Sequence, residues 1–192
     1  MKVEIRSDGL HISGYVNVPG RESRPIRDAR GSFVEVIEQG VFRRAIERAV
    51  KIDLKLDHNR TLASTADGTL KLKEDEVGLH ADTVVTDEET IKEARAGHLR
   101  GWSFGFRKPV AKMEERGEGQ LPLRRISDLE LNEVTLVLNK IPVYRSHSIE
   151  LRAGEEDAVE YRAVLEEVAI TEEESEKKKP DLTTYKKRLS DI

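Results

Sequence analysis

The sequence predicts an α+β fold: a mainly antiparallel, barrel-like β-sheet with flanking helices, followed by a charged tail. Three observations carry this expectation. Short segments of alternating apolar and polar residues recur along most of the chain, as they do in half-buried strands. Two segments have helical spacing instead, one of them with a capping pattern and a glycine stop. After Arg152 the composition turns to charge, so residues 1–153 are expected to form the domain and 154–192 an acidic tail, helical at first and flexible beyond.

Taken in order, "GLHISGYVNV" reads as an opening strand, with Gly14 at a bulge or a close contact. The loop "PGRESRPIRDARGS" follows, rich in Gly, Pro and Arg. "FVEVIEQGVFRRAIERAVK" leads into a helix from Val41, with Phe42, Ala45, Ile46 and Ala49 as its apolar stripe. "IDLKLDH" is a short strand in which Ile52, Leu54, Leu56 and His58 share a face, and "GTLKLKEDEVGLHADTVV" is a hairpin. In "TDEETIKEARAG", Thr86 and Glu89 have capping-box spacing and Gly97 stands where the second helix would stop. "LRGWSFGFRKPV" and "LRRISDLELNEVTLVLNKIPVY" are strands separated by the polar loop "MEERGEGQLP". In the tail, Val159, Ala163, Val164 or Leu165, and Val168 could form one loose helical face, while "TEEESEKKKPD" is too polar to bury a core.

Composition narrows the function. The chain has 192 residues, 37% hydrophobic and 36% charged, which suits one compact domain with a strongly charged surface. There is no cysteine, so disulfides, cysteine-ligated zinc and a cysteine nucleophile are excluded together. No apolar run resembles a signal peptide or reaches the length of a membrane span, and the expectation is a soluble intracellular protein. Residues 154–192 hold 12 acidic and 7 basic side chains, a net of −5 against −4 for the whole chain. The body is therefore close to neutral and offers no basic stripe for nucleic acid. No histidine pair has metal-ligand spacing on one element, so neither metal nor cofactor is expected.

"GWSFGF", residues 101–106, raises the catalytic question. Gly101-Trp102-Ser103-Phe104-Gly105 fits the G-x-S-x-G frame of a nucleophile elbow. That elbow needs a helix directly after the serine, and "FGFRKPV" is strand-like with a proline at 109. A triad in the order Ser103, Asp128 or Glu133, His147 therefore fails on context. If Trp102, Phe104 and Phe106 enter the core, Ser103 and Gly105 share the other face, with room for a peptide backbone. A serine needs a base, and His58, at the rim of an apolar strand face, is either that base or a structural histidine. His11, His80 and His98 read as structural. Glu133, placed on one face with Leu129 and Leu131 and flanked by apolar residues, needs a partner: either a catalytic histidine or an arginine such as Arg124 or Arg125.

Four segments in order then carry a resemblance. "FVEVIEQGVFRRAI", "LKLDHNRTLAST", "LRGWSFGFR" and "LNEVTLVLNKIPVY" resemble the helix lead-in, histidine block, serine block and closing block of the prohead (capsid maturation) proteases of tailed bacteriophages. That family's fold is similar to the herpesvirus assemblin proteases, and the resemblance covers residues 10 to 152. It implies a serine endopeptidase with Ser103 as nucleophile, His58 as general base and Glu133 as third member. By analogy with an arginine-bearing loop in the viral enzymes, Arg124 and Arg125 become candidates for oxyanion or substrate binding. The implied partners are the major capsid protein and its scaffolding segment, with cleavage of the protease itself and self-association. The implied location is the assembling prohead in the host bacterial cytoplasm, where the tail would serve packaging. Thr135 stands where serine is usual, Asn59 where aspartate often follows the histidine, and the match around Pro142 is loose. The alternative implied by the same fold is a capsid assembly or scaffold protein without turnover.

Overall fold

A computed structural model of the chain describes residues 1–29, 31–138, 158–165 and 168–173. The first elements are β1 (Lys2–Arg6), β2 (Gly9–Asn17), β3 (Ile26–Asp28), β4 (Gly31–Ile37) and α1 (Val41–Arg48). Next come β5 (Asp53–Leu56), β6 (Arg60–Ser64), β7 (Leu70–Glu74), β8 (Leu79–Val85) and α2 (Glu88–Arg95). Two long strands follow, β9 (Leu99–Glu114) and β10 (Leu123–Leu138), and then β11 (Glu160–Leu165) and β12 (Ala169–Glu172).

The strands form two sheets. One runs β12-β1-β2-β8-β7, antiparallel except for the β12–β1 pair. The other runs β11-β9-β10-β4-β3, with β5 and β6 attached farther along the same edge of β10 as β4. Straight strands of 16 residues would span about 50 Å. Register shifts between Ile126 and Glu133 instead bend β9 and β10, and the sheet curls into a half-barrel.

Alternation on β9 explains the core. Trp102, Phe104 and Phe106 point inward and are fully buried, with Phe104 edge-on to Phe42 of α1 at 5.4 Å and stacked on Phe106 at 5.8 Å. Leu54, Val134 and Leu136 fill in beside them. The start of α1 is fixed by Gly40, whose φ of 81° only glycine adopts freely. The Glu74 carboxylate accepts from the backbone N–H of Gly40 and Arg43, both at 2.7 Å, and satisfies two groups the helix leaves open. Gly14 is a close contact, as read from the sequence: a Cβ there would lie 3.1 Å from Met1 Cα and 3.3 Å from Trp102 Nε1.

Several expectations change. "KVEIR" forms β1 with Val3 and Ile5 buried, and β3 lies in the stretch read as loop. The N-cap of α2 is Asp87, not Thr86: its carboxylate accepts from Thr90 N–H at 2.8 Å, and Glu89 binds Arg60 instead of closing a capping box. The helical reading of the tail's first part does not hold over its described residues. Glu160–Leu165 forms β11 along β9, and Ala169–Glu172 forms β12 along β1. The loose helical face offered little burial, whereas an open strand edge offers a full ladder of hydrogen bonds. The segments "NKIPVYRSHS", with Pro142 and His147, and "TEEESEKKKPD" beyond Glu173 lie outside the described residues.

Candidate active site

Cross-strand register assembles the site on the sheet face opposite the aromatic core. Ser103 pairs with Thr135 and Gly105 with Glu133 across β9 and β10. On the far side of β10, Glu133 pairs with Asp53 and Thr135 with Lys55 of β5. Opposite residues in a sheet share a face, so Ser103, Thr135, Glu133 and Lys55 form one polar patch. The register shift between Leu131 and Glu133 corrects their expected common face: Leu131 meets Phe106, and Glu133 meets Gly105.

His58 reaches this patch by leaving the strand. Asp57 and His58 both have positive φ, 46° and 61°, so the alternation from Leu54 and Leu56 ends before them. Instead of lying on that apolar face, the imidazole is turned toward Thr135 and Glu133. Two consecutive non-glycine residues in this region are costly, and several bonds hold them there. Asp57 N–H donates to Leu136 O at 3.0 Å, and the Asp57 carboxylate accepts from Leu138 N–H at 2.9 Å. His58 Nδ1 is 2.7 Å from Glu133 Oε1 and 3.3 Å from Thr135 Oγ1.

Glu133 is 3% exposed and collects three donors. Besides His58, Thr135 Oγ1 donates to Oε1 at 3.1 Å and Lys55 Nζ pairs with Oε2. Burial alone would raise the Glu133 carboxyl, but the hydrogen bonds from His58 and Lys55 outweigh it and hold its pKa below the ordinary glutamate value. The bond to Glu133 in turn raises the Lys55 ammonium. A carboxylate is acceptor-only, so Nδ1 is the donor in this bond, and in the neutral imidazole the free lone pair is then on Nε2.

Ser103 lies at the expected place but is not open. It is 1% exposed, and β11 pairs antiparallel beside it with Ala163 as its register partner. Its Oγ donates to the Arg162 carbonyl at 2.9 Å. Tyr161 covers the neighbouring shelf, its ring 4.4 Å from the His58 ring. A Cβ on Gly105 would come within 2.8 Å of that tyrosine and 3.0 Å of Glu133 Cγ, so only glycine leaves the shelf free. Beside Tyr161 and Glu133 a groove of about 520 Å³ continues, lined also by Lys55, Arg107 and Val159.

Arg124 and Arg125 serve carboxylates. Arg125 forms a two-point pair with Glu114 at 3.0 and 3.2 Å. Arg124 donates to Glu160 at 2.6 and 2.8 Å and to Glu35 at 3.0 Å. The cation on Glu133 is thus Lys55, whose position opposite Leu54 and Leu56 in the alternation of β5 was the available signal. Tyr161 and Arg162 were missed because their segment read as helix. His11 pairs with Asp8, His80 with Ser13 and His98 with Glu93, in line with structural roles.

A family model described as caudovirus prohead serine protease matches residues 1–162. No curated protein and no solved structure matches the chain.

Proposed function

The chain belongs to the caudovirus prohead serine proteases, a family of phage capsid maturation enzymes that act inside the assembling prohead, and from that premise we propose that Ser103, His58 and Glu133 are its catalytic residues. The observation that carries this reading is the 2.7 Å bond between His58 Nδ1 and buried Glu133, made beside Thr135, the register partner of Ser103. A fold like that of the assemblin proteases is part of the same proposal, supported by the curled sheet that carries these residues.

In this reading Ser103 Oγ attacks the carbonyl carbon of the scissile peptide while His58 Nε2 takes the hydroxyl proton. The imidazolium so formed is stabilised by Glu133, which stays ionised. Collapse of the tetrahedral species breaks the C–N bond, and His58 returns the proton to the leaving amine. Water, deprotonated by the same nitrogen, then hydrolyses the acyl-enzyme and regenerates Ser103. Lys55 and Thr135 keep Glu133 fixed and charged throughout. Arg124 and Arg125 could bind the oxyanion only after giving up their present carboxylates, so backbone N–H donors are assigned that part. Among the described residues no helix is long and apolar enough to cross a membrane.

The proposed substrates are the scaffolding segment of the major capsid protein and the chain itself. Co-expression with that capsid protein tests this: wild type should remove the segment, and Ser103→Ala should assemble with it without cleavage. Equal processing by Ser103→Ala would place the chemistry elsewhere.

A further inference from the structure

β11 occupies the place a peptide substrate would take. An extended peptide adds to an exposed sheet edge through main-chain hydrogen bonds, and the edge beside Ser103 is that of β9. Here that edge of β9 is taken by Glu160–Leu165, antiparallel and in continuous register from Phe106 to Gly101. The carbonyl nearest the hydroxyl is a backbone carbonyl, Arg162 O, and the single O–H of Ser103 is spent on it. While that bond lasts the proton is not directed at an imidazole.

Side chains fasten the strand on both faces. Tyr161 fills the shelf made by Gly105 between His58 and Glu133. On the other face Glu160 and Arg162 join Glu35 and Arg124 in a cluster of two buried acids and two partly buried bases. Arg162 holds Glu35 at two points, both 2.7 Å, and lies 5.1 Å over the Phe106 ring. Glu35 and Arg124 also bind each other, so the sheet contributes a complete ion pair that survives when the strand leaves. Charged groups that form a neutral, exchangeable set suit a strand that docks and releases better than an apolar seam does.

We propose that β11 is a resident pseudo-substrate: it closes the active site by strand addition to β9, and the substrate is an extended peptide that displaces it. The residue presented to Ser103 follows an acid–aromatic–base triplet in the resident strand, and a displacing peptide of that pattern meets the Glu35–Arg124 pair and the Gly105 shelf. The inference rests on the protease reading above, and its test separates the two.

The test compares the full chain with Glu160→Gln/Arg162→Gln and with Tyr161→Ala. Amide hydrogen exchange is read along β9, β10 and β11, together with labelling of Ser103 by a fluorophosphonate. The synthetic peptide AVEYRAVL, residues 158–165, is then added, with a scrambled peptide as control. We expect β11 and residues 101–106 to exchange at least about tenfold faster in both variants while β10 keeps its protection. Ser103 should label at least about tenfold faster, and AVEYRAVL, but not the scrambled peptide, should restore the protection of residues 101–106 and slow the labelling, while β11 stays fast. The proposal is overturned if β11 stays as protected as β10 in both variants, or if Ser103 labels measurably in wild type and β11 is released with no gain in that rate. Release with re-protection by the peptide, and no labelling in any form, would uphold the strand's role and remove Ser103 as nucleophile.

Discussion

Replacing Glu133 by glutamine tests the electrostatics of the site more sharply than deleting it. The carboxylate accepts from three donors: His58 and Thr135 on Oε1, and Lys55 on Oε2. A glutamine of the same shape has one acceptor oxygen and one donor NH₂. The ammonium of Lys55 is the strongest of the three donors and takes the oxygen, which turns the NH₂ toward His58. Nδ1 must then accept, the ring proton moves to Nε2, and the base loses the lone pair that receives the Ser103 proton. General-base assistance contributes about 10²–10⁴-fold, or roughly 3–5 kcal/mol of barrier. The assay is the rate of Ser103 labelling by a fluorophosphonate, measured in the Glu160→Gln/Arg162→Gln background so that access to the serine is equal. Adding Lys55→Met to Glu133→Gln removes the competitor, lets the amide turn its oxygen back to Nδ1–H, and should recover about tenfold of the lost rate. A Glu133→Gln rate within about threefold of the parent would refute the role of Glu133. A double variant no faster than Glu133→Gln would refute the orientation argument.

Other outcomes follow from the same contacts. Thr135→Val keeps the shape of a buried side chain and loses the hydroxyl on Glu133, so labelling should fall by about 3–10-fold, the value of one ordinary hydrogen bond, without loss of fold by circular dichroism. Phe104→Ala opens the core between Phe42 and Phe106 and should cost about 3–5 kcal/mol in denaturant titration. Glu133 and Glu160 are both depressed in the folded chain: burial opposes this, and the bonds to His58 and Lys55, and to Arg124 and Arg162, outweigh it. The unfolded chain therefore binds more protons at these positions. Their stabilisation is present above the ordinary glutamate value of about 4.3 and is lost as pH falls below it. Denaturant midpoints measured from about pH 7 down to pH 3 should drop in that lower range, and Glu160→Gln should make the drop smaller; an identical profile in the variant would contradict the assignment.

Much of the architecture was legible because it rests on local pattern. The alternation around Trp102, Phe104 and Phe106 fixed which side of β9 faces the core, and with it the side that carries Ser103. Gly97, with φ of 70°, ended the second helix where the sequence placed the stop. What escaped was decided by non-local pairing. The alternation of "IDLKLDH" carried His58 onto the apolar face, whereas two left-handed residues turn it toward Glu133; Asp and His adopt such angles more often than most residues, but an unbroken alternation hides the turn. The register shift before Glu133 also depends on the partner strand. Tyr161 and Arg162 gained their meaning only from the edge of β9, which a periodicity count over their own segment does not contain.

The central claim is that Ser103 is a nucleophile activated by His58, and mapping of the fluorophosphonate adduct tests it most directly. Wild type, Ser103→Ala, His58→Ala and His147→Ala would be compared in the Glu160→Gln/Arg162→Gln background by intact mass and peptide mapping. The account predicts one adduct, on Ser103, kept in His147→Ala, lost in Ser103→Ala and reduced at least about 100-fold in His58→Ala. An adduct on another residue, or labelling of Ser103 at an undiminished rate without His58, would contradict it.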